Sequence, residues 1–151
     1  SLVSSSGVRL NHLADWGTYT CQGARYGRAF VGSGITNAGA PGAVAAELAA
    51  AVATDQYSDA RQTASVMVDP PVPVPLSGGR AAMARARASV ATPSDPCAAD
   101  QGTVAVLAMT TPAGTSVFVA GADAVTDPVE PTPLPVPDQL AGLVRTLTVR
   151  P

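Results

Sequence analysis

Two apolar periods alternate along this chain, and each change from one to the other marks a boundary between elements. Thr18–Gln22 and Tyr26–Gly32 are rich in Tyr, Thr, Phe and Val and are separated by Gly23, which predicts two short strands. Ser33-Gly34 and Asn37-Ala38-Gly39 read as loop punctuation. Pro41 stands at a favoured first helical position, and the period then changes to that of a helix over Ala43–Tyr57. Val44, Leu48 and Val52 make one stripe, and seven alanines between residues 43 and 53 leave the helix thin enough to lie close against a sheet.

Alternation returns at Arg61–Asp69, with Ala64, Val66 and Val68 on one side. Pro70–Pro75 is held extended by its prolines and reads as an edge segment or loop. Ser77-Gly78-Gly79 turns the chain into a strand over Arg80–Val90, which places Ala82, Ala84, Ala86 and Ala88 on one face. Met83, Arg85 and Arg87 take the other. Thr103–Thr110 and Thr115–Gly121 are apolar on both faces, as central strands are, and Thr111–Gly114 joins them as a hairpin. A second proline-rich stretch, Pro128–Pro137, leads to a short helix over Asp138–Leu147 whose stripe is Leu140, Leu143, Val144 and Leu147. The order of elements predicts one α+β domain over residues 1–151: an antiparallel sheet with a long Ala-rich helix and a C-terminal helix packed on it.

Composition narrows the setting. The chain of 151 residues is 46% hydrophobic and 4% aromatic, so Val, Leu and Ala must build its core. Charged residues make up 13%, about half of what soluble domains usually carry, and the net charge is −2. No basic excess exists to neutralise phosphates, which argues against a nucleic-acid partner. All nine basic residues are arginine, and this lysine-free, alanine-rich composition is what a GC-rich genome encodes. The longest apolar run, Ala43–Ala53, contains Glu47 and is too short to span a bilayer. Ser1–Val8 has neither the basic nor the apolar region of a signal peptide, so any membrane association is expected through a segment outside this chain.

Cys21 and Cys97 fit no metal-ligand spacing and no C-x-x-C motif. A long-range disulfide is expected, because Cys97 follows the turn-rich Thr92-Pro93-Ser94-Asp95-Pro96, where a staple would fix a loose connection. The alternative is a pair of buried thiols. Closing such a loop stabilises by ~4–5 kcal/mol in the chain-entropy model. A disulfide implies an oxidising, extracytoplasmic compartment, either the cell envelope or the exterior.

Trp16, Cys21, Arg28, Gly32, the alanine helix closing on Tyr57, Gly79-Arg80-Ala81-Ala82, Cys97, Gly102, Ala122-Asp123 and Leu143–Leu147 together resemble secreted or membrane-anchored actinobacterial domains of unknown function. The layout is similar to a PsbP-like fold, as in mycobacterial LpqN-type lipoproteins. That resemblance spans nearly the whole chain, and it implies accessory or binding roles in envelope biology, including trafficking of envelope lipids. It carries no catalytic residues.

Candidate chemistry is sparse. His12 is the single histidine, with Ser4–Ser6 and Asp15 nearby in a terminus expected to fray. Gly32-Ser33-Gly34 is too short for a phosphate loop and lacks its lysine. One histidine and two distant cysteines make a poor metal donor set, so neither metal nor cofactor is expected. Asp55 and Asp59 flank Tyr57 at the helix end, and Asp123, Asp127 and Glu130 border the second proline stretch; ordinary solvated charge accounts for them. The sharpest binding candidates are Arg85 and Arg87, two apart on a strand, with guanidinium forks suited to carboxylate or phosphate groups. Arg25 and Arg28 would add to that surface if their strands are adjacent. The expected function is a non-catalytic accessory binding domain of the bacterial envelope that engages an envelope protein or a lipid-like ligand held between helix and sheet. The alternative is a docking or sensor domain of a membrane-anchored protein with no small-molecule ligand.

Overall fold

The computed structural model describes residues 1–37, 39–76 and 79–124. The stretches Pro128–Pro137 and Asp138–Leu147, with Asp127 and Glu130, lie outside them. Among the described residues ten strands and one helix follow in chain order. They are β1 (Leu2–Val3), β2 (Arg9–Trp16), β3 (Tyr19–Cys21), β4 (Ala24–Tyr26), β5 (Ala29–Thr36), α1 (Pro41–Tyr57), β6 (Ser65–Val68), β7 (Val72–Leu76), β8 (Gly79–Ser89), β9 (Gln101–Thr111) and β10 (Gly114–Asp123). One antiparallel sheet runs β1-β2-β5-β10-β9-β8-β6, and β7 also pairs with β8. β3 and β4 form a separate hairpin.

The expected α+β, PsbP-like arrangement of two helices on a sheet is corrected. More than half of the described residues are strand, one helix is present among them, and the sheet curls into a half-barrel. Most of the extra strand comes from two stretches assigned otherwise. The terminus expected to fray is β1 and β2, closed by Ser4 N–H to Val8 O at 3.0 Å and Gly7 N–H to Ser4 O at 2.8 Å. The segment taken for a loop, Ser33–Thr36, is the second half of β5 and pairs with Thr115–Phe118 of β10.

Glycine explains both the misreading and the curl. At Gly34 a side chain would collide with the carbonyl oxygen of Arg9, and at Gly32 its Cβ would stand 2.8 Å from Leu13 Cδ2. β2 therefore bends across the helix-bearing face of β5, an approach that side chains would block. A bulge between Asn11 and Ala14, with His12 at φ +49°, supplies the bend.

The alanine helix matches its expected span. Pro41 opens it, and Ser58 closes it with its N–H on Thr54 O at 2.9 Å. Val44, Leu48 and Val52 are buried as the stripe predicts, beside the fully buried Ala45, Ala49 and Ala53. These meet Ala84, Ala86 and Ala88 of β8 with Val104, Val106, Val117 and Val119 of β9 and β10. Small residues on both sides let helix and sheet backbones come close, so a core nearly free of aromatics can still be dense.

The edge beyond β8 follows from its prolines. β6 pairs with Ala86–Ser89 and β7 with Gly79–Met83, and Asp69 N–H reaches Arg85 O at 2.8 Å where Pro70-Pro71 separates them. Pro73 and Pro75 are tolerated because β7 is an edge strand.

Candidate functional site

Two adjoining cavities open beside the C-terminal end of α1. The first, of about 320 Å³, lies between α1 and the curled β2–β5 layer. Leu10, Ala29 and Val52 form its buried floor, with Phe30 beside them and Leu2 and Leu13 on its rim, 49% and 43% exposed. Asp15, Asp55 and Asp123 bring three carboxylates to its wall against Arg28, the single cation among its described lining residues. The second cavity, of about 280 Å³, shares Gly27, Gln56 and Asp123 with the first and is bounded by Tyr19, Tyr26, Tyr57, Asp59 and Asp95.

Asp123 stands at the junction, and Tyr57 meets it from the second cavity. Tyr57 Oη donates to Asp123 Oδ1 at 2.8 Å. Burial pushes the Asp123 carboxyl above the usual carboxylate range, while the Tyr57 hydrogen bond and Arg28 pull it back. Burial, with the neighbouring carboxylate, pushes the Tyr57 phenol far above its ordinary value. The Tyr57 ring occupies the space that a side chain at Gly102 would fill, and the Phe30 ring does the same over Gly121. Two glycines inside central strands are thus seats for the two aromatic rings that shape the cavities.

The β3–β4 hairpin roofs the second cavity. The Cys21–Cys97 disulfide, with Cα atoms 5.8 Å apart, ties the hairpin to the 91–100 connection, as the turn-rich sequence around Cys97 predicts. Tyr19 and Tyr26 stack with ring centroids 5.5 Å apart. Tyr19 Oη donates to Cys97 O, and Tyr26 Oη donates to Asp95 Oδ2 at 2.9 Å. That hydrogen bond to Asp95 raises the Tyr26 phenol. Asp95 also accepts from Cys97 N–H at 2.8 Å, so one carboxylate holds both sides of the clamp.

The arginine candidates divide into two groups. Arg85 and Arg87 project from the face of β8 opposite the helix, and both turn to Asp69: Arg87 Nη2 lies 2.8 Å and Arg85 Nε 3.9 Å from its carboxylate. Arg25 donates to Thr18 Oγ1 at 3.2 Å, and the Arg28 guanidinium sits 4.0 Å from the Tyr19 ring centroid. Arg25 lies on β4 in the separate hairpin and Arg28 just before β5, so neither adjoins β8. Across the register Arg87–Thr103–Ala122–Ala29, β9 and β10 intervene, a span of roughly 14 Å at ordinary strand spacing.

The remaining candidates are dispersed. His12 lies in a separate, open depression, with Nδ1 at 3.3 Å from Ser33 Oγ. Asp55 accepts from Ser5 N–H at 2.8 Å and helps to fix the N-terminal hairpin. Asp59 accepts from Ser94 Oγ and from the N–H groups of Arg61 and Gln62, which hold its carboxyl below the usual range. Among the described residues no helix is long and apolar enough to cross a membrane. Sequence reasoning placed Asp123 beside a proline stretch and missed its pairing with Tyr57. The available signal was Gly102 and Gly121 inside otherwise apolar strands, which mark where another group approaches the backbone.

No curated protein matches the chain. Residues 3–149 match the family described as a domain of unknown function (DUF8017), and with nearly its whole length covered the chain belongs to that family.

Proposed function

We propose that this domain is a non-catalytic accessory binding module of the bacterial cell envelope, engaging an envelope protein or a lipid-like ligand in the cleft between α1 and the β2–β5 layer. The cleft itself carries the reading: a buried apolar floor of Leu10, Ala29 and Val52 under an exposed leucine rim, with a few polar groups from Asp15, Arg28, Asp55, Gln56 and Asp123. That is the make-up of a recognition site, in which apolar area supplies affinity and a few polar groups fix orientation. At about 320 Å³ it has the volume of roughly ten waters, which suits one apolar side chain or one short acyl segment. The disulfide supports an oxidising location, and the lysine-free, alanine-rich composition supports a high-GC, actinobacterial source.

The experiment is a titration of oxidised protein with the neutral apolar fluorophore N-phenyl-1-naphthylamine. Saturable one-to-one enhancement, lost in Leu13→Trp with its melting transition retained, is the expected result. No enhancement, or enhancement indifferent to Leu13→Trp, would count against the cleft as a binding site.

A further inference from the structure

The edge strand beside the cleft carries more information than its volume. β1 covers β2 for two residues, Leu2 opposite Leu10 and Val3 opposite Arg9. Beyond Leu10 no other described strand pairs with the outer edge of β2, so the backbone groups of Asn11–Trp16 on the side away from β5 have no ladder partner among the described residues. Unpaired edges are normally blunted by charge, proline or a bulge. The opposite edge of this sheet has prolines in β7, and β2 has its bulge at His12-Leu13. Yet this side also exposes Leu2, Val3 and Leu13, three of the six exposed large apolar residues among those described. An open edge flanked by exposed leucines, above an apolar floor, is the arrangement that accepts an added strand.

Charge decides what kind of strand. Asp15, Asp55 and Asp123 reach the cleft wall against Arg28, whose guanidinium is drawn to the Tyr19 ring. An anionic headgroup or an acidic peptide would meet a like-charged wall, and a basic group would meet its complement. Side chains on a strand alternate, so a segment with apolar and basic residues in turn sends one set to the cleft and leaves the other at the rim.

Resting on the reading of the cleft as a binding site, we infer that its occupant is an extended basic–apolar peptide segment of a partner protein. The segment adds as a strand to the free edge of β2 at Asn11–Trp16, places an apolar side chain on Leu10 and Val52, and sets a cation against Asp15 and Asp55.

The test uses an end-capped hexapeptide of alternating leucine and lysine, its leucine–glutamate counterpart, and hexyl phosphate as an anionic single-chain probe. Each competes with bound N-phenyl-1-naphthylamine. Expected are displacement by the lysine peptide alone, weakening of at least tenfold in Asp15→Asn/Asp55→Asn with an unchanged urea midpoint, and slowed amide hydrogen exchange across Asn11–Trp16. Equal competition by the glutamate peptide or by hexyl phosphate overturns the charge assignment. Displacement by the lysine peptide without protection of Asn11–Trp16 overturns strand addition. If naphthylamine binds and the lysine peptide does not displace it, the inference falls while the cleft stands as a binding site. If naphthylamine itself does not bind, both fall.

Discussion

The Tyr57 hydroxyl donates to Asp123 across 66 positions of sequence while its ring rests on the bare backbone of Gly102. One side chain thereby joins the end of α1, the last residue of β10 and the start of β9, and it bounds the second cavity beside Asp123, which both cavities share. Tyr57→Phe leaves a largely desolvated carboxyl without its donor, at a cost of ~2 kcal/mol. Gly102→Ala forces the ring from its seat, with a similar loss expected from overpacking. Urea midpoints of the two variants check both. If Gly102→Ala proved as stable as wild type, the ring would not need that seat.

Asp123 and Asp59 respond to pH in opposite directions. Burial raises the Asp123 carboxyl above its unfolded value, so the folded state holds that proton longer and stability falls as pH rises through the raised value. The Ser94 hydroxyl, with two backbone N–H groups, lowers Asp59, whose contribution is present above the unfolded value and is lost as pH falls. Relative to wild type, Asp123→Asn therefore gains stability as pH rises through the carboxylate range, and Asp59→Asn loses it. Melting temperatures across that range measure both slopes, and slopes of one sign would contradict the assignment.

The disulfide closes a loop of 76 residues, for which the chain-entropy model gives a stabilisation of about 4.5 kcal/mol. Its native-state consequence is local, because β3 and β4 pair with each other and with no other described strand. In Cys21→Ser/Cys97→Ser, amide exchange speeds up first in Tyr19–Tyr26 and in the 91–100 connection, with β8, β9 and β10 keeping their protection. Uniform loss of protection would show that the clamp holds the whole sheet and not the hairpin alone.

Asp69 is the common partner of Arg85 and Arg87, on a face where all three side chains are substantially exposed to water. Solvent screening leaves such pairs little net energy, so Asp69→Ala costs under ~1 kcal/mol by urea titration. A loss of several kcal/mol would mean that the bridge braces the β6–β8 edge.

Much of this fold is legible in the chain, and the exceptions share one cause. The stripe of the helix and the alternation of β8 follow from apolar period, and the hairpin of β9 and β10 from two apolar runs joined by the turn residues Thr111–Gly114. The staple at Cys21–Cys97 was legible from the turn residues that precede Cys97. The second half of β5 was not, because Gly32 and Gly34 imitate loop punctuation while serving as the bare surface under Arg9 and Leu13. With that strand read as a loop, β2 has no partner and its terminus reads as frayed. The arginines of β8 were found by their spacing, and their engagement with Asp69 was hidden because that contact depends on how β6 pairs with β8. The cleft was hidden for the same reason as β2: it exists where the sheet curls, and the curl depends on glycines whose role is to have no side chain.

The most direct test of the cleft is a heteronuclear NMR titration of uniformly labelled, oxidised protein with N-phenyl-1-naphthylamine. Amide shifts confined to Leu10–Asp15, Ala29-Phe30, Val52–Gln56 and Asp123 are the predicted result. Shifts centred on Arg80–Arg87 with the cleft silent would contradict it and move the binding surface to the opposite face of the sheet.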